Sequence, residues 1–332
     1  YSTRSINPSL AISDSTIYVS WIYLTDNNYE IFMTISYDSG KSWIDNFQLS
    51  NDPAFSANQD VVASGSDVHV FWNDFRDGNY EIYYKRSSDR GRSWDSDKRL
   101  SFDGATSAQP RAVIHDSVLV LVFTDSRKYN YEIFSMRSVN SGFDWSGCTR
   151  LTNAYYSSWY PRIAGEGPNI YLVWQDERSA NDEVFFKYSG DYGLSWSEEL
   201  LFTDNEVTRS VYPKIDVSAS VVHVLWSDFR DDPGGDLFYR RNPTGIITSA
   251  PEGSRDNASG VKIYPNPATD HIFLNYGNIS KGEIQIFSSL GKKVYETSLK
   301  EKIDISRFPG GIYFVRFYAD NKTIINKFSI IR

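Results

Sequence analysis

Ser36-Tyr-Asp-Ser-Gly-Lys-Ser-Trp43, Ser87-Ser-Asp-Arg-Gly-Arg-Ser-Trp94, Ser138-Val-Asn-Ser-Gly-Phe-Asp-Trp145 and Ser189-Gly-Asp-Tyr-Gly-Leu-Ser-Trp196 are four versions of one phrase. Each closes on a tryptophan 51 residues after the one before it. A fixed period of this length means one supersecondary unit copied along the chain. Upstream of each phrase the same spacing links Trp21, Trp72, Phe123 and Trp174, and again Glu30, Glu81, Glu132 and Glu183. A fifth copy runs from about residue 205 to 241, with Trp226 displaced by one residue and no closing phrase.

Within a copy, three runs read as strands and a fourth more weakly. In the fourth copy these are Pro161–Ala164, Ile170–Trp174, Glu183–Tyr188 and Glu199–Thr203. They are short, rich in β-branched and aromatic residues, and parted by Gly, Asn, Asp and Ser. No helix-length apolar period occurs in the first 245 residues. Repeated units of four antiparallel strands predict an all-β β-propeller with five recognisable blades, and a β-solenoid is the alternative. The repeated phrase falls between the third and fourth strands. Its Asp accepts backbone N–H groups in a tight loop, its Gly supplies a positive φ, and its indole packs beneath on apolar strands. Asp38, Gly40, Trp43, Asp89, Gly91, Trp94, Asn140, Gly142, Trp145, Asp191, Gly193 and Trp196 are therefore read as structural.

These phrases resemble the Asp boxes, or BNR repeats, of sialidase-like propellers, over roughly residues 1–245. The resemblance implies that they mark the fold and lie on the face away from any ligand. It also implies a usual count of six blades. Here the fifth copy lacks its last strand, so either residues upstream of Tyr1 contribute or a five-bladed ring closes loosely.

Composition breaks near residue 250. All nine tryptophans lie at or before Trp226, and residues 261–332 carry 11 Lys/Arg against 6 Asp/Glu, while the remainder carries 23 against 36. Residues 246–260 read as a polar linker. An acidic main domain argues against nucleic acid as a partner, and no apolar run is long enough to span a membrane. The single cysteine, Cys148, excludes an intrachain disulfide, and no Cys/His cluster implies zinc. No cofactor or metal is implied. The chain opens on Tyr1, which points to a removed leader or to a piece of a longer protein.

Residues 261–332 alternate apolar and polar positions between Asn-Pro and Gly-Lys turns, the pattern of a small antiparallel sandwich. Tyr264-Pro-Asn-Pro267, Leu290-Gly-Lys-Lys-Val294, Gly311-Ile-Tyr313 and a basic terminus resemble the type A C-terminal sorting domain of the type IX secretion system of Bacteroidota. That resemblance implies export through the periplasm to the medium or the cell surface, recognition by the secretion machinery, and removal of the domain. An ordinary immunoglobulin-like accessory module is the alternative.

Two repeated features fall on the face opposite the boxes. One is an Asp-x-Arg pair: Asp74 with Arg76, Asp125 with Arg127, Asp176 with Arg178, and Asp228 with Arg230. Recurrence in four copies reads as a structural ion pair. The other varies between copies, as a functional position does. At the head of each innermost strand stand Asn7-Pro-Ser9, Asn58-Gln-Asp60, Gln109-Pro-Arg111, Tyr160-Pro-Arg162 and Tyr212-Pro-Lys214. Arg111, Arg162 and Lys214, with Asp60, Tyr160 and Tyr212, are thus the candidate ligand-binding residues. Sialidases similarly join an arginine cluster to a tyrosine nucleophile with an assisting Glu and to an Asp acid/base. This chain departs from them: Tyr160-Pro-Arg-Ile-Ala164 lacks the family's Phe/Tyr-Arg-Ile-Pro order, Lys214 replaces a third arginine, and no glutamate can be assigned. The expected function is a secreted or surface-attached propeller that binds glycans or other polymers. A sialidase-type exo-glycoside hydrolase and a protein-interaction or adhesion module are the alternatives.

Overall fold

The computed structural model describes residues 5–330, apart from 26–27, 179–180, 204–207, 219, 243–261, 266–267, 276–281, 289–292 and 320–321. The chain divides into two compact units, Tyr1–Ser249 and Ala250–Arg332. The expected linker, 246–260, lies outside the described residues.

The first unit is five antiparallel sheets in chain order, the blades of a propeller. Blade 1 holds β1 (Ser5–Ser13), β2 (Thr16–Leu24), β3 (Tyr29–Ser36) and β4 (Phe47–Gln48). Blade 2 holds β5 (Ser56–Ser64), β6 (Asp67–Asp74), β7 (Glu81–Ser87) and β8 (Lys98–Arg99). Blade 3 holds β9 (Ser107–His115), β10 (Val118–Asp125), β11 (Glu132–Ser138) and β12 (Thr149–Arg150). Blade 4 holds β13 (Ser158–Glu166), β14 (Asn169–Asp176), β15 (Glu183–Ser189) and β16 (Leu200–Leu201), and blade 5 holds β17 (Ser210–Ser218), β18 (Val221–Asp228) and β19 (Asp236–Asn242). The weak fourth run of each copy is a two-residue strand. The innermost strands β1, β5, β9, β13 and β17 pack each on the next.

The core is not one mass but four layers between consecutive blades. Between blades 1 and 2, for example, Ile31, Met33 and Ile35 meet Val61, Val68 and Trp72. Between blades 4 and 5, Tyr171, Val184 and Phe186 meet Val222 and Val224. Among the described residues no extended packing joins β17 to β1. Blade 5 accordingly exposes Leu237 (73%) and Tyr239 (52%), whose counterparts in blade 4, Val184 and Phe186, are fully buried. On blade 1, Leu10 and Ile12 are exposed in the same way.

The boxes close the layers at one end. Ser39 with Gly40, Arg90 with Gly91, Ser141 with Gly142 and Tyr192 with Gly193 take positive φ in pairs, which turns each box loop tightly and which glycine adopts without strain. The Asp89 carboxylate accepts from the Ser93 backbone N–H at 2.8 Å and from the Ser93 hydroxyl at 2.6 Å. These bonds hold its pKa down from the ordinary 3.8 to about 2, so their stabilisation is present above the ordinary value and fades as pH falls toward 2. Blade 3, with Asn140 in place of Asp, reverses the polarity: Asn140 Nδ2 donates to the Asp144 carboxylate at 2.9 Å, where the other boxes have a serine. The departure is a paired exchange that keeps the bond.

The indoles reach the preceding blade rather than their own. Trp145 meets Phe71 and Tyr84 of blade 2 edge-on at 5.7 and 5.5 Å between ring centroids. Trp94 Nε1 donates to Gly91 O at 3.1 Å. Trp43, in the first of the described blades, is 45% exposed.

The second unit packs a three-stranded sheet on a four-stranded one. The first comprises β20 (Lys262–Tyr264), β21 (His271–Asn275) and β24 (Lys302–Asp304), and the second β22 (Glu283–Ser288), β23 (Lys293–Ser298), β25 (Gly311–Ala319) and β26 (Lys322–Ile330). Ile272, Leu274, Ile284, Ile286, Val315 and Phe317 form its core. It is the small sandwich the alternation predicts.

Two outcomes test the staple. Trp145→Ala should destabilise by about 2–3 kcal/mol, somewhat less than a fully buried indole, and Trp43→Ala by well under half of that; equal costs in urea denaturation would refute the inter-blade role. Asn140→Asp should lower the melting temperature by about 1–3 °C by facing two carboxylates. Adding Asp144→Ser should restore it, and additive losses in the double variant would exclude the paired exchange.

Candidate functional site

In every blade, the head of the innermost strand, the end of the second and the start of the third lie at one end, opposite the boxes. In blade 4, Ser158 pairs with Asp176 and Asp176 with Glu183, while Ser189 pairs with Ile170 at the far end. The buried Asp-x-Arg pairs organise this end. Asp74 takes Arg76 Nε and Nη2 at 2.9 and 2.7 Å, the Arg76 backbone N–H at 3.0 Å, the Trp72 indole at 2.8 Å and the Ser56 hydroxyl at 3.0 Å. Bidentate pairing on a fully buried carboxylate is the strong form of ion pair. The pair folds its own loop and bonds the inner strand through Ser56. Arg76 also reaches Asp97 at 3.0 Å, so these residues are occupied structurally, as their recurrence predicts.

The glutamates spaced 51 apart are a second tie. Glu81 and Glu132 are fully buried, accept from Ser101 and Thr152, and pair with Arg99 and Arg150. Blades 1 and 4 have Gln48 and Leu201 at the arginine position. Burial there raises the Glu30 pKa and moves that of Glu183 to about 7.

At the centre the backbone does something unusual five times. Asn7, Asn58, Gln109, Tyr160 and Tyr212 take φ of 51°, 53°, 56°, 51° and 54°, and each sits in a register shift between the first two strands of its blade. A bulge of this kind re-aims the side chains around it. The residues two places on are Ser9, Asp60, Arg111, Arg162 and Lys214, and the bulges gather them. Asp60 accepts from Ser9 Oγ at 3.1 Å and from the Ala112 N–H at 2.9 Å, tying blades 1, 2 and 3. Burial raises its pKa, against the opposing pull of Arg111 and Arg162.

The three expected cations come together. Burial, then the charge of Arg111, lowers the Arg162 pKa to about 10, with Asp60 and Tyr160 opposing. Burial, then Arg162 and Arg111, lowers the Lys214 pKa to about 8, although the residue as a whole is exposed. Neither arginine makes an ion pair among the described residues: Arg111 donates to Pro110 O at 2.5 Å, and Arg162 to Pro161 O at 2.8 Å. Tyr160 and Tyr212 stand beside them, ring against ring at 5.1 Å between centroids. The arrangement can take up an anionic group. On the blade 1–2 side of this same end lies a cavity of about 340 Å³ lined by Asn7, Tyr29, Phe55, Ala57, Asn58 and Tyr80, among others.

Sequence reasoning missed the aromatic surroundings. Trp159 stacks on Tyr131 at 4.0 Å, and its signal was a tryptophan in a repeat position that holds Ala57 and Ala108 in blades 2 and 3.

Comparison with known proteins bears on both units. Residues 262–331 match the family model described as secretion system C-terminal sorting domain. A stretch of 74 residues, 21% of this chain and 14% of the relative's length, is 38% identical to the ulvan lyase NLR42 of Nonlabens ulvanivorans. The chain therefore spans a small part of that relative. Among solved structures, an α-L-arabinofuranosidase of Fusarium graminearum superposes with a TM-score of 0.52 at 13% identity, covering 91% of this chain and 94% of that one. A mutant of the Trypanosoma rangeli sialidase does so at 0.52 and 12%, covering 98% of this chain and 54% of that one. Likenesses this remote in sequence show the fold. No helix among the described residues is long and apolar enough to cross a membrane. The chain thus joins a propeller of the sialidase-like fold to a type IX secretion sorting domain, the mark of export to the cell surface or the medium in Bacteroidota.

Proposed function

We propose that the propeller is an acidic-glycan-binding module, displayed on the cell surface or released by way of its sorting domain. The observation that carries this reading is the gathering of Arg111, Arg162 and Lys214 around the lone carboxylate Asp60, with neither arginine ion-paired among the described residues. Three cations drawn from water around one carboxylate favour an anionic ligand, and guanidinium groups suit the two oxygens of a carboxylate or sulfate. Tyr160 and Tyr212 add surfaces for sugar rings and hydroxyls.

Hydrolysis of the sialidase type is a second reading, favoured by the raised pKa of Asp60, which suits an acid catalyst. Glycoside cleavage generally needs two catalytic carboxyl groups, or a tyrosine nucleophile with its own base. The Asp60 carboxylate is already bonded by the Ser9 hydroxyl and the Ala112 N–H, which suits a structural tie. Release of reducing ends from an acidic polysaccharide, lost in Asp60→Asn, would establish the enzyme instead.

The double variant Arg111→Ala/Arg162→Ala should lower affinity for acidic glycans at least about 100-fold while keeping the melting temperature. Wild-type binding should weaken with added salt. It should also decline as pH rises through about 8, where Lys214 loses its proton, and Lys214→Arg should remove that decline. A glycan array on which only neutral sugars bind would end the reading.

The sorting domain, 261–332, meets the secretion machinery in this proposal and is then cut away. Mass spectrometry of exported material should find a C-terminus within residues 246–260. Intact Arg332 on protein outside a secretion-competent cell would contradict it.

A further inference from the structure

The proposed anion site lies beside an unbroken line of aromatic rings. Tyr131 packs on Trp159 at 4.0 Å between centroids, Trp159 on Tyr160 at 6.5 Å, and Tyr160 on Tyr212 at 5.1 Å. The line crosses from blade 3 over the inner strand of blade 4 to that of blade 5. Its last two members stand two residues before Arg162 and Lys214.

Tyr131 has counterparts in Tyr29 and Tyr80, but the repeat does not require the other three rings. Blades 2 and 3 carry Ala57 and Ala108 where blade 4 carries Trp159, and at Ala57 the fold tolerates an open cavity. The indole is oriented as well as present: its Nε1 donates to Glu177 at 3.1 Å, a residue replaced by Phe75 and Ser126 in those blades. Tyr160 and Tyr212 hold left-handed φ where blades 1 and 2 use asparagine. Asparagine adopts that conformation readily, whereas a bulky residue there is strained by roughly 1–2 kcal/mol. Strain that blades 1 and 2 avoid points to a use where bulky rings keep it. Tyr212 is 56% exposed. Phe102, Tyr129, Tyr155 and Tyr156, in the connecting loops at the same end, are exposed too.

We infer that Tyr131, Trp159, Tyr160 and Tyr212 form a stacking track for consecutive sugar rings, so that the ligand is an acidic polysaccharide chain rather than a single acidic sugar. Each ring offers an apolar face to the C–H face of a pyranose and leaves the hydroxyl edges in water. The cations would hold one acidic unit while the track holds its neighbours in the chain. Stacking on successive rings multiplies affinity only for a ligand that is itself continuous.

This inference rests on the acidic-glycan reading, and the experiment separates the two. The full chain is titrated by calorimetry with polygalacturonate and with dextran sulfate, and in parallel with free galacturonate and inorganic sulfate. The wild type should prefer at least one polymer to its small anion by about 100-fold or more per site. Trp159→Ala, which installs the residue of blades 2 and 3, should cut that ratio about tenfold. Tyr160→Asn, which installs the residue of blade 2, should cut it similarly while raising the melting temperature through relief of strain. A lower polymer affinity in a more stable protein cannot come from misfolding. If both variants kept the wild-type ratio while Arg111→Ala/Arg162→Ala lost binding, the track would be wrong and the cation site would stand. Wild-type protein that bound neither polymer would overturn both.

Discussion

The propeller depends on glycine backbone pressed against the side chains of the preceding blade. A Cβ on Gly142 would stand 1.8 Å from the Tyr84 hydroxyl, one on Gly91 2.5 Å from Ile35 Cδ1, and one on Gly193 3.0 Å from Val120. Any other residue would force these neighbouring side chains to shift, and each of these positions also holds the positive φ that glycine takes without strain. The tryptophan three residues on then lies over the seam. Because that contact is made at one end of each blade, it sets the angle between neighbours and leaves the opposite end free of the same demand.

That freedom explains how one unit supports four different residue types at its central position. The Asp-x-Arg pairs and the Glu–Ser/Thr bonds hold each loop from within its own blade, through carboxylates removed from solvent. The bulge at the head of the inner strand is a backbone feature, present whether its first residue is Asn, Gln or Tyr. The side chain two places on can therefore be Ser9, Asp60, Arg111, Arg162 or Lys214 without altering the blade. Asp60 also serves as a tie, because its carboxylate links Ser9 of blade 1 to the Ala112 N–H of blade 3.

The charge balance follows the same division. The propeller is acidic overall, yet many of its carboxylates are spent on internal bonds, and the central cations are left without such partners. A site of one sign can thus sit within a domain of the opposite net charge, because short-range geometry at a desolvated centre outweighs distant surface charges screened by salt.

The period of 51 residues, the alternation of apolar positions and the glycine-bearing loops were enough to set the all-β class, the five recognisable repeats and the strand order within each, since these are local and each is repeated four or five times. The meeting of Arg111, Arg162 and Lys214 was also legible, because equal positions in equal units must lie on one ring. Three things were not. That the strands beneath Trp145 are those of blade 2 depends on the angle between blades, which no single repeat encodes. That Asp144 answers Asn140 depends on a loop bringing residues four apart into contact. The aromatic line from Tyr131 to Tyr212 joins residues of three blades and of three different repeat positions, so only the packed blades could bring them together.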